Sequence, residues 1–149
     1  MPIANRLIKS GDERTAYRKL QNEYYKYLEE YKETKRLHRK YDKADKSGVL
    51  GYAEKLDFLE NSPEFLRAEI FDGFKDVIDA NDKALKDGPD DEIRAEIEAE
   101  LLADKRELVN ALNDPEAYFR SLREAGMLSD DYKDYLEQSF GMKLRTQGQ

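Results

Sequence analysis

From about residue 12 onward the apolar positions recur at spacings of three and four. They are interrupted only where helix-stopping residues gather, so the pattern predicts helices. "GDERTAYRKL" opens the first, with Ser10 or Asp12 placed to accept its orphan N–H groups and Asp12 and Glu13 in the dipole-favoured first turn. It runs without Gly or Pro to about Lys46, where Ser47 and Gly48 stop it. "VLGYAEKLDFLEN" reads as a short second helix weakened by Gly51. The third is the best marked: Ser62 caps it, Pro63 takes its first position and Gly88 lies past its end. Its predicted stripe is Leu66, Ile70, Phe74, Val77 and Ile78, with Ile70 and Phe74 at the centre. A fourth helix places Ile93, Ile97, Leu101, Leu108 and Leu112 on one face. Asp114 and Pro115 start a fifth that ends at Gly126, and Ser129 caps a short sixth. No alternating run of β-branched residues is present, so no sheet is expected.

The expectation is an all-α, elongated helical bundle of five or six helices in one domain spanning residues 1–149. A long helix covers about 12–46, a helical body about 49–140, and 141–149 is a frayed tail. Elongation follows from length. A compact domain of this size is about 40 Å across, whereas the first helix is about 50 Å long at 1.5 Å per residue. It must project, pack along several others, or pair with another chain.

The first helix also concentrates tyrosine: residues 24–41 hold five of the chain's ten. Tyr17, Leu20, Tyr24, Tyr27, Tyr31, Thr34, His38 and Tyr41 form a seam at heptad spacing. Tyrosine makes a poor dry core because each hydroxyl needs a partner, and it is favoured at interfaces. Two readings stay open. The seam packs on helices three and four of the same chain with its hydroxyls at the rim, or part of it meets another molecule. In the second reading the exposed members are Tyr24, Tyr25, Tyr27 and Tyr31, serving a protein partner or a weak homodimer.

Charge changes the picture along the chain. The net charge is −7, but residues 1–47 carry 13 Lys/Arg against 8 Asp/Glu, while residues 48–149 carry 13 against 25. Lys35, Arg36, Arg39, Lys40 and Lys43 could contact phosphates beside the aromatic rings. Glu29, Glu30, Glu33, Asp42 and Asp45 interleave with these cations, and the sequence pI is about 4.9, so nucleic acid is not the favoured partner. The acidic body also admits an inhibitor that imitates a phosphate backbone toward a nucleic-acid-binding host protein.

Catalytic motifs are missing. The chain has no cysteine and one histidine, His38, and it lacks a glycine-rich phosphate loop, metal-ligand histidine spacing and a nucleophile elbow. The expectation is a non-enzymatic protein with no cofactor. No apolar run reaches membrane-spanning length and no signal-peptide core appears, so a cytoplasmic protein is expected.

Residues 5–27, "NRLIKSGDERTAYRKLQNEYYKY", resemble a helical segment of the large polyvalent proteins of phages and conjugative elements. The likeness rests on an Asn-Arg pair, a Gly-Asp-Glu-Arg-Thr helix start and the tyrosines that follow. It implies a helical accessory module from a mobile genetic element and carries over no catalytic or ligand residue. The combined expectation is a protein-interaction module working through the tyrosine-rich helix, with nucleic-acid association or inhibition as alternatives.

Overall fold

The computed structural model describes residues 11–144, and side chains from Arg14 onward. The cap expected from Ser10 or Asp12 lies outside the described side chains. Six helices follow in order: α1 Gly11–Lys46, α2 Tyr52–Glu60, α3 Pro63–Lys86, α4 Asp91–Asn113, α5 Pro115–Glu124 and α6 Asp130–Phe140. There is no strand among the described residues, and the architecture is an all-α bundle with a long N-terminal helix.

The helix ends follow the local chemistry of the sequence. α1 stops in a Schellman arrangement: Val49 N–H donates to the Ala44 carbonyl, Gly48 N–H to that of Asp45, and Gly48 takes φ 80°. Oxygen caps hold three N-termini. The Ser62 hydroxyl accepts from Phe65 N–H, the Asp114 carboxylate from Ala117 N–H and the Ser129 hydroxyl from Tyr132 N–H, each at 3.2 Å. Gly51, also left-handed, ends the turn after α1, so α2 starts behind it rather than running through it.

The long helix does not project as a bare rod. α3 runs antiparallel to it, with His38 beside Phe65 and Tyr31 stacked on Phe71 at 4.5 Å between centroids. α2 covers the C-terminal third, where Tyr41 meets Tyr52 at 5.7 Å. α4 folds back on α3 and reaches α1 through Lys105, whose Nζ lies 4.6 Å from the Tyr24 ring centroid. From Leu20 to Tyr41, α1 is thus covered by α3 and α2 placed in succession, with α4 along a second side. α5 and α6 close the far side of α3, where Leu136 is fully buried.

Three expectations need correction. The α3 stripe is rotated: Phe71 is 2% exposed and central, Phe74 is only half-buried, and Val77 is 47% exposed. α3 is wedged between α1 and α4, and the arc it buries is wide enough to include Ala68 and Phe71 beside Leu66, Ile70 and Ile78. Ile93, in the first turn of α4, is exposed because its neighbours lie further along the helix. The tail is not frayed throughout: Met142 and Leu144 are buried in the core. Residues 145–149 lie outside the described residues.

Gly73 departs from local preference. It sits in the middle of α3, where glycine costs about 0.5–1 kcal/mol relative to alanine. Nothing lies within 4 Å of where its Cβ would be. Neither a positive φ nor a close neighbour requires it.

Candidate functional site

All eight seam positions of α1 turn inward. Leu20, Tyr24, Tyr31 and Thr34 are buried, and Tyr17, Tyr27, His38 and Tyr41 are half-buried. The hydroxyls of Tyr27, Tyr31, Tyr132 and Tyr135 find acceptors inside the chain. Tyr31 donates to Asp72, which also binds Lys35 at 3.1 Å. Tyr27 donates to Asn113 at 2.5 Å, and Asn113 in turn donates to Glu23 at 3.2 Å. Across the molecule Tyr132 donates to Glu69, and Tyr135 to the Glu60 carbonyl at 2.6 Å. Burial raises the phenol of Tyr24 to about 12, with Asp82 adding to the effect. Burial and then the Asp72 hydrogen bond push Tyr31 up as well.

This corrects the tyrosine docking face. Tyr24 and Tyr31, at 6% and 8% exposure, belong to the core, and Tyr27 is held at its edge. Of the four tyrosines expected to meet a partner, only Tyr25 is open, at 56%. His38 is likewise structural, with Nε2 3.3 Å from Glu60 Oε2 and its ring 5.0 Å from that of Phe65.

The opposite face of α1 carries the information that sequence reasoning missed. Eleven Lys/Arg lie between Arg14 and Lys46, and ten are exposed; Lys35 alone is half-buried. Six Asp/Glu share the same span, and only Glu29 and Glu33 are exposed. Glu23, Glu30, Asp42 and Asp45 are half-buried; Glu23 accepts from Asn113, and Asp42 pairs with Lys46 one turn along α1 at 3.0 Å. Glu30 meets Arg67 in a two-pronged pair at 2.6 and 3.0 Å. The interleaved charges of the sequence are therefore sorted by the fold, cations outward and most anions inward. Residues 48–144 show the reverse, with 17 exposed Asp/Glu against 7 exposed Lys/Arg.

The expected phosphate-contacting residues divide on this basis. Lys35 is tied to Asp72 and drops out of the face. Arg36 is exposed but already grips Glu33 at 2.6 and 3.0 Å. Arg39, Lys40 and Lys43 are exposed and make no ion pair among the described residues. They share one side of the helix with Tyr25, Lys32 and Arg36, since Tyr25, Lys32, Arg36, Arg39 and Lys43 follow each other at steps of seven, four, three and four. A helical wheel drawn on the tyrosine seam would have pointed to this side, but not to the burial of the anions flanking it.

Among the described residues no cluster of three or more metal-ligating side chains occurs, and no helix is long and apolar enough to cross a membrane. No family model matches the chain, and neither a curated protein nor a solved structure matches it significantly.

Proposed function

We propose that the protein is a non-catalytic protein-interaction module that docks an acidic partner surface on the solvent side of α1. The observation that carries this reading is the sorting of charge on α1 between Arg14 and Lys46, ten exposed cations against two exposed anions among the described side chains, in a chain of net charge −7. At physiological ionic strength charges more than about 8 Å apart are largely screened. The acidic body behind the helix therefore does not cancel the field that a partner meets at contact. Arg39, Lys40 and Lys43 are the centre of the face, because no carboxylate among the described residues holds them. Charge of this kind sets encounter rate and orientation more than total affinity. The likeness of residues 5–27 to an accessory segment of phage and conjugative-element proteins is in keeping with a module of this type.

The test is affinity capture with the wild-type protein and with a variant carrying Arg39→Glu, Lys40→Glu and Lys43→Glu, both immobilised in lysate of the producing cell. The expected result is a small set of acidic proteins held by wild type, released by salt, and absent from the variant. The same set on both proteins would overturn the reading. Tyr25, an open aromatic ring among the cations, favours a second reading in which the face takes a single-stranded nucleic acid. Fluorescence anisotropy with labelled DNA and RNA strands at low and moderate salt separates the two. Binding that weakens steeply with salt and disappears in the triple variant would move the function to nucleic acid.

A further inference from the structure

On the far side of α3 from α1, a groove of about 440 Å³ opens between α3, α5, α6 and the turn that joins the last two. Its walls include Glu69 and Gly73 of α3, Tyr118 of α5, Met127 in the turn and Tyr132 of α6. Three features of this groove bear on what it could hold.

The first is Gly73. A glycine in mid-helix sacrifices stability, yet here an added Cβ would meet nothing within 4 Å. Because Gly73 lines the groove, what its missing side chain does is keep the groove open. The second is Glu69. Its carboxylate accepts a hydrogen bond from Tyr132 but makes no ion pair among the described residues. Burial pushes its carboxyl up, the Tyr132 hydrogen bond opposes that shift, and the nearby Asp72 and Glu60 charges reinforce it. Lys35 acts on it in the opposite sense, but Lys35 is itself held by Asp72. The third is Met127, 70% exposed at the lip, a flexible thioether beside aromatic rings.

Charge decides the occupant. The lining contains one ionisable carboxylate, two tyrosines and no Lys or Arg. A cation on an apolar stem satisfies both parts at once, because aromatic faces and a desolvated carboxylate each attract positive charge. We propose that this groove binds the basic side chain of a lysine or arginine presented by a partner protein, with the stem against Tyr118 and Met127 and the cation against Glu69. The site lies on a different face from the cationic side of α1 and stands whether or not that face docks an acidic partner.

The experiment is an NMR titration of the isotopically labelled full chain, following the Met127 methyl and Gly73 amide signals. The probes are Nα-acetyl-lysine methylamide and its neutral analogue Nα-acetyl-norleucine methylamide. The lysine probe is expected to shift both signals saturably in the millimolar range and at least tenfold more tightly than norleucine. Glu69→Gln, which keeps the side-chain size, is expected to remove that tenfold preference. Gly73→Leu is expected to abolish the Met127 methyl shifts from both probes while circular dichroism stays native, and it supplies the test if Glu69→Gln does not fold. Equal affinity for the two probes, an unchanged preference in Glu69→Gln, or unchanged Met127 methyl shifts in Gly73→Leu would each overturn the assignment.

Discussion

Phe71→Ala tests the arrangement that removes the tyrosine seam from the surface. Phe71 is 2% exposed and is the ring on which α1 rests, 4.5 Å from Tyr31 and 5.9 Å from Tyr24. Core Phe→Ala changes cost about 3–5 kcal/mol, and aromatic pairs contribute about 0.5–1.5 kcal/mol each beyond buried area. With two such pairs lost, the expected cost lies at the upper end, about 4–5 kcal/mol. Phe74 is the internal control. It is half-buried and has one ring neighbour, Tyr118 at 6.1 Å. Half of the roughly 1.5–3 kcal/mol burial term for an aromatic or large aliphatic side chain gives about 0.8–1.5 kcal/mol for Phe74→Ala. Near this chain length each kcal/mol moves the melting temperature by about 2–4 °C. Phe71→Ala should therefore melt about 10 °C or more below wild type, and Phe74→Ala only a few degrees below. Urea titration followed by far-UV circular dichroism gives the free energies. Equal losses, or a larger loss at Phe74, would show that α3 faces α1 with the other side of its stripe.

Gly73→Ala should stabilise the protein by about 0.5–1 kcal/mol, since the helix gains a better former and the Cβ enters open space; a loss of stability in the same urea titration would contradict the open groove. Leu144→Ala should cost about 2–5 kcal/mol because Leu144 is fully buried, and a melting point equal to wild type would return this segment to the status of a loose tail. Stability should be flat between about pH 8 and 9 and then fall. The tyrosines of the unfolded chain ionise near pH 10, while Tyr24 and Tyr135 in the native state hold their protons up to about 12. The folded phenols are raised, so the stability they supply is present below pH 10 and is lost as pH climbs through the folded values. Melting temperatures between about pH 8 and 11.5, with phenolate absorbance, check this, and a melting point independent of pH across that window would contradict it.

Where each helix starts and stops is local information, and residues such as Ser62, Pro63, Gly48 and Ser129 carry it in the chain itself. A capping oxygen or a left-handed glycine acts on backbone groups three to five residues away, so no distant partner is needed to read it. The inward side of α1 was also legible, because eight residues at heptad spacing can face only one way along a helix. That it packs on the third and fourth helices was one of two open readings, and the individual contacts that decide between them were not legible. Tyr31 is core because Asp72 and Phe71, some forty residues away, meet its hydroxyl and its ring. The same holds for charge. Glu29 and Glu30 are neighbours in sequence, but only Glu30 faces Arg67, so one stays in solvent and the other is paired against the body. A sequence lists charges in order, whereas a surface shows those that packing leaves outside. The groove was the least legible feature. Glu69, Gly73, Tyr118, Met127 and Tyr132 come from three helices and a turn, and no spacing along the chain links them. Only the docking of α5 and α6 on α3 brings a carboxylate, two phenols and an open glycine to one place.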